Sequence, residues 1–181
     1  MKKCLLSFIV VLLGISGFSQ FSKASLQASG LTCAMCSKAV KVALEKVPFV
    51  KEVKVNIKHQ EYSIAFKENS KADFDELKKA VEDAGFSVAS LKVIGNFSDV
   101  SVDKDKHIEL DGKNFHFVSS GSKVLNGEQT LTIVDKDFLS AKEFKKYSAA
   151  TKLECIKTGK AASCCLKDGI HTEERVYHVI I

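Results

Sequence analysis

The chain has 181 residues, 27 Lys and Arg against 22 Asp and Glu, a net charge of +5, six Cys and no Trp. That length holds one large or two small domains. The charges are interspersed, which argues against a nucleic-acid-binding tail and a polybasic membrane anchor.

The first stretch reads as an export signal over residues 1–19. Lys2 and Lys3 form a charged start, Cys4 to Ile15 an apolar run, and Gly17 and Ser19 the small residues before a cleavage point at Gln20. The run is short for a membrane span, and an uncleaved anchor is the alternative. No Cys sits at the cleavage point, so a lipoprotein is not expected. Removing Cys4 leaves Cys33, Cys36, Cys155, Cys164 and Cys165. An odd number in an exported chain implies at least one free, metal-bound or intermolecular thiol.

Ala24, Leu26 and Ala28 alternate with polar residues, the period of a half-buried strand. Ala39, Val40, Ala43, Leu44 and Val47 recur at helical spacing, and Pro48 ends that helix. Between strand and helix lies Gly30-Leu31-Thr32-Cys33-Ala34-Met35-Cys36, which places two thiols at a helix N-terminus. Unpaired N–H groups and the helix dipole favour thiolate there. Two adjacent thiolates suit a soft ion, Cu(I) first, with Zn(II), Hg(II) and Cd(II) as competitors. A structural disulfide is the plain alternative.

Val50 to Ile57 and Tyr62 to Phe66 then read as a hairpin around Lys58-His59-Gln60. His59 reads as a solvated turn residue. Ser70 and Asp73 cap a second helix with Phe74, Leu77, Val81 and Ala84 on its buried stripe. Gly85 closes it, and Val88 to Ile94 is a closing strand. The pattern over residues 23–94 is βαββαβ, the ferredoxin-like α+β arrangement.

GLTCAMCSKAV followed by a hairpin and AVEDAGF resembles the heavy-metal-associated domain, the module of copper chaperones, copper-pump N-terminal domains and the periplasmic mercury-binding protein. The resemblance implies that Cys33 and Cys36 are the metal ligands, that Gly30 and Thr32 shape the loop, and that Phe86 lies under it. The family usually has Met where this chain has Leu31, which fills the same apolar slot without a thioether. Met35 reads as an ordinary loop residue or a partner contact. Lys38 and Lys41 read as a solvated face, with steering of an acidic partner as the alternative. A thiol–disulfide oxidoreductase is disfavoured. That fold sets a cis-proline opposite its CxxC, and the single proline here, Pro48, ends the same helix.

Gly95 and Asn96 read as a polar link, so a second domain is expected over residues 97–181. Its runs read mostly as strand: Val100 and Val102, Ile108 and Leu110, Phe115 to Val118 after an Asp111-Gly112 turn, and Leu131 to Val134 after an Asn126-Gly127 turn. Ser140 and Glu143 make a capping box for a helix reaching Ser148. Leu153 to Ile156 and Val176 to Ile180 are further strand candidates. A small mostly-β domain follows, barrel or sandwich, with an OB-like barrel among the forms considered. Cys155, Cys164, Cys165 and His171, with His178 on the last strand, form either a second soft-metal site or a disulfide from Cys155 to one of the adjacent pair. His107 and His116 read as packed or solvated residues.

The expectation is therefore an exported, non-enzymatic protein of the periplasm or the secreted fraction. It would hold one Cu(I) near-linearly between Cys33 and Cys36 and pass it on by ligand exchange. The transfer partner would be a donor or acceptor such as a metal-transporting membrane pump or efflux component. No nucleic acid and no stable membrane insertion after cleavage are expected. Zinc usually completes four ligands, and this loop offers two thiols with no Asp before Cys33, which favours copper. A mercury or Zn/Cd scavenger using the same thiols is one alternative. An interaction module with an oxidised CxxC is another.

Overall fold

The computed structural model describes residues 20–118 and 121–181. The expected signal segment lies outside the described residues. Among the described residues no helix is long and apolar enough to cross a membrane.

The first half contains β1 (Gln20–Ser29), α1 (Ala34–Glu45), β2 (Val50–Asn56), β3 (Glu61–Phe66), α2 (Phe74–Asp83) and β4 (Ser87–Val102). The strands lie in the order β2-β3-β1-β4, antiparallel throughout, which is the expected ferredoxin-like arrangement. The helices pack against one another, α1 against β2 and α2 against β4. Val40 and Leu44 of α1 and Phe74, Leu77 and Val81 of α2 are buried at the expected spacing. Asp73 caps α2 by accepting from the Asp75 N–H at 2.9 Å. Gly85, at φ +87°, lets the chain turn out of that helix.

The second half contains β5 (His107–Leu110), β6 (Lys113–Phe117), β7 (Lys123–Ile133), α3 (Ala141–Ser148), α4 (Cys155–Thr158) and β8 (Val176–Ile180). The expected link at Gly95-Asn96 is not a link. Both residues lie inside β4, where Gly95 pairs with Phe21 on one side and Gln129 on the other. The 16-residue β4 carries one sheet through both halves, in the order β2-β3-β1-β4-β7-β8-β6-β5. An OB-like barrel is therefore not formed; the C-terminal strands extend an open sheet. Asn126-Gly127 is also not a hairpin turn but part of β7, where Asn126 Nδ2 donates to Asp99 at a bulge in β4.

Other expectations hold. Asp111 and Gly112 both have positive φ, as a two-residue hairpin turn requires. Ser140 and Glu143 cap α3 reciprocally: the Glu143 N–H donates to Ser140 Oγ at 3.3 Å, and that hydroxyl donates to the Glu143 carboxylate at 2.7 Å. Leu153 to Ile156 is not a strand, because Cys155 and Ile156 open the short helix α4.

Aromatic rings fuse the halves into one core. Phe21 of β1 meets Phe74 of α2 at 5.3 Å and Phe115 of β6 at 5.4 Å, and Phe74 meets Tyr177 of β8 at 5.2 Å between ring centroids.

Candidate metal centre

The first site is built by the turn between β1 and α1. Leu31 is buried and anchors the loop from below, as expected of the slot it fills. Gly30 adopts φ +86° with Phe86 beside it, so the chain reverses over that ring. Gln60, from the β2–β3 turn, donates its side-chain amide to the Leu31 carbonyl at 3.3 Å. The buried Tyr62 hydroxyl donates to the Ser37 carbonyl at 3.3 Å, holding the first turn of α1 against β3. His59 is exposed in its turn and lies outside the site.

Cys33 is the N-cap of α1, and its sulfur accepts the Cys36 backbone N–H at 3.4 Å. The two sulfurs stand 3.0 Å apart and are not bonded to each other. Cys33 is exposed and Cys36 half-buried. The hydrogen bond from Cys33, with help from Thr32, lowers the Cys36 thiol below its ordinary value. The pair thus offers one readily ionised sulfur on the first turn of the helix and one solvent-facing sulfur that caps it. Two metal–sulfur bonds of about 2.3 Å span up to about 4.6 Å. A near-linear ion therefore requires the sulfurs to part, and the exposure of Cys33 leaves room for that. Met35, between them, is 72% exposed and covers neither.

Residues 25–87 match the heavy-metal-associated domain. The chain is 34% identical over 92 residues to the mercuric transport protein periplasmic component of Acinetobacter calcoaceticus, a match covering 51% of this chain and 99% of that protein. The chain belongs to the heavy-metal-associated domain family. It is also 31% identical over 67 residues to the copper chaperone CopZ of Staphylococcus aureus, covering 37% of this chain and 97% of that one. A third relative is a probable copper-exporting P-type ATPase of Archaeoglobus fulgidus, 36% identical over 64 residues, or 35% of this chain. The chain spans only 8% of that ATPase's length. Handling of copper or mercury is common ground among these relatives.

The C-terminal cysteines do converge, but not with their expected partner. The sulfurs of Cys155, Cys164 and Cys165 lie within 4.8 Å of one another and are unbridged. His171 is exposed on the following turn and takes no part in the cluster. Its place is taken by His107 and His116, expected as packed or solvated residues. Cys165 Sγ lies 3.3 Å from His107 Nε2, and Cys155 Sγ lies 3.6 Å from the same nitrogen and 3.9 Å from His116 Nδ1. His107, His116, Cys155 and Cys165 are buried, while Cys164 is half-buried. Burial lowers the His107 imidazole and brings the His116 imidazole down to about 4, so both rings are neutral near pH 7.

Strand register explains the histidines. His107 of β5 sits opposite His116 of β6, which sits opposite His178 of β8, so three imidazoles form one cross-strand row. The visible clue was alternation in two strands joined by the Asp111-Gly112 turn. Counting outward from that turn pairs His107 with His116.

Proposed function

We propose that this is an exported soft-metal carrier whose Cys33–Cys36 pair binds Cu(I) and hands it on by thiolate exchange. The observation that carries the reading is the pairing of an exposed, helix-capping Cys33 sulfur with the Cys36 sulfur 3.0 Å away. An ion held by two thiolates at the surface keeps open positions. An incoming thiolate or thioether adds to it, a resident thiolate leaves, and the metal changes owner with no net redox change. No covalent catalysis is involved, so the protein acts as a carrier rather than an enzyme.

Copper is favoured over zinc because the loop supplies two ligands and zinc prefers four. The partner is proposed to be a metal-transporting membrane pump or efflux component, in keeping with the likeness to a copper-exporting ATPase. An extracytoplasmic location, periplasmic or secreted, is supported by the charged-then-apolar first stretch and by the likeness to periplasmic mercuric transport components.

Mercury is the second reading, favoured by the 92-residue likeness to a mercuric transport protein. Competitive titration with Cu(I), Zn(II) and Hg(II) tests the order. Cu(I) bound more tightly than Zn(II), and lost in Cys33→Ser/Cys36→Ser, is the expected result. Zn(II) bound more tightly than Cu(I) overturns it.

A further inference from the structure

The geometry points to a second, buried metal site in the C-terminal half, with Cys155, Cys165, His107 and His116 as ligands for one tetrahedral Zn(II). The site is independent of Cys33 and Cys36 and does not rest on the carrier reading.

The donor spacing fits. With Zn–S about 2.3 Å and Zn–N about 2.0–2.1 Å, tetrahedral ligands stand about 3.5 Å apart for S and N. The contacts from Cys165 to His107, Cys155 to His107 and Cys155 to His116 measure 3.3, 3.6 and 3.9 Å. A hydrogen-bonded thiol–imidazole pair accounts for one such contact. It does not account for two sulfurs converging on His107 Nε2 while one of them also faces a second imidazole.

The tautomers fit as well. His107 Nδ1 lies 2.7 Å from Asp168 Oδ2, and His116 Nε2 lies 3.1 Å from Asp105 Oδ1. Each carboxylate takes the N–H of its imidazole and leaves the opposite nitrogen's lone pair facing the thiols. A carboxylate behind each histidine is the arrangement that fixes and strengthens imidazole ligands to zinc. The two histidines stack at 4.8 Å between centroids, held by the β5–β6 ladder. Cys155 comes from the first residue of α4, and Cys165 from the 3₁₀ turn at Ser163–Asp168. An ion here ties that irregular segment to the sheet.

The chemistry selects the metal class. Two thiolates and two neutral imidazoles in a closed site form a structural zinc set. This contrasts with the open two-thiolate loop at the other site. Half-buried Cys164, 3.6 Å from Cys165 by sulfur, adds a third sulfur at the mouth of the cluster. His178 Nε2 is buried without a hydrogen-bond partner beside His116, at 5.0 Å between ring centroids, so the polar row continues past the four ligands.

The test uses the full chain carrying Cys33→Ser/Cys36→Ser, which removes the surface pair. This protein is purified with Zn(II), passed through a chelating column and analysed for metal. Co(II) is substituted in parallel as a spectroscopic probe. One equivalent of retained Zn(II) is expected, with the intense visible bands and sulfur-to-metal charge transfer of a tetrahedral thiolate–imidazole Co(II) centre. Cys155→Ser should abolish retention. Because Cys155 is buried, Asp168→Asn serves as the second variant: it leaves all four ligands and should lower Zn(II) affinity about 10- to 100-fold. Three results overturn the proposal: no retained Zn(II), a Cys155–Cys165 disulfide in peptide maps of the folded protein, or unchanged affinity in both variants. Retention of copper with no Zn(II) also overturns the zinc assignment.

Discussion

Arg175 and Asp75, 100 residues apart, form a bidentate ion pair: Nε donates to one carboxylate oxygen at 2.7 Å and Nη2 to the other at 3.2 Å. Asp75 lies in the first turn of α2 and Arg175 just before β8, so the pair clamps the N-terminal helix layer to the C-terminal strands. The same guanidinium reaches the buried Asp135 at 2.8 Å, and the Tyr177 hydroxyl donates to Asp75 at 3.1 Å. A planar guanidinium joining two carboxylates suits this task in a way that an ammonium would not.

Arg175→Met should therefore destabilise the whole chain and not one half. It leaves the buried Asp135 carboxylate without its guanidinium partner, at a cost of about 3 kcal/mol. Urea unfolding followed by far-ultraviolet dichroism should show one transition displaced to lower urea. Two separate transitions in the parent chain would contradict the shared core.

Stability should also fall in acid through Asp135. Burial alone would raise this carboxyl, but the His178 hydrogen bond and the charges of His178 and Arg175 outweigh burial and hold it below its ordinary value near 3.8. The folded state then binds this proton less readily than the unfolded chain does. Its stabilisation is complete above the unfolded value and is lost as pH drops through about 4 and below. Unfolding free energies from pH 6 down to pH 3 should decline, and Asp135→Asn should flatten part of that decline. An Asn variant with the parent's full pH slope would contradict the assignment.

Much of this architecture is legible in the amino-acid sequence. Apolar alternation and helical spacing located the first six elements, and the capping residues Asp73 and Ser140 stand where they were expected. Cys33 and Cys36 were legible because their spacing is local. What could not be read was carried by long-range pairing. Gly95 and Asn96 have turn-like character, but Phe21 and Gln129 hold Gly95 in a central strand. His107 and His116 become neighbours of Cys155 only after β6 pairs with β8 and α4 folds back, across 39 to 48 residues. His171, six residues beyond Cys165 in sequence, is exposed and outside the cluster.

Gly30→Ala should weaken the loop through backbone conformation rather than crowding. An added Cβ would meet Phe86 at 3.8 Å, an ordinary contact, whereas φ +86° is unfavourable for an L side chain. A loss of about 1–2 kcal/mol in unfolding free energy is expected, with weaker Cu(I) retention as the loop shifts. An unchanged midpoint would show that the loop is less constrained than its hydrogen bonds imply.

Tyr62→Phe should cost about 1 kcal/mol, because the Ser37 carbonyl loses a buried donor. The expected signature is a lower melting temperature with Cu(I) stoichiometry unchanged, since Tyr62 positions the helix and is not a ligand. Loss of the bound ion would assign the phenol a direct part in the site.

The most direct test is the kinetics of Cu(I) transfer from the loaded protein to an excess of a chromophoric dithiol acceptor. Ligand exchange at an open two-thiolate site predicts a rate that climbs in proportion to acceptor concentration, with Cys33→Ser/Cys36→Ser delivering no ion. A rate independent of acceptor concentration, or undiminished delivery by that variant, would contradict the account.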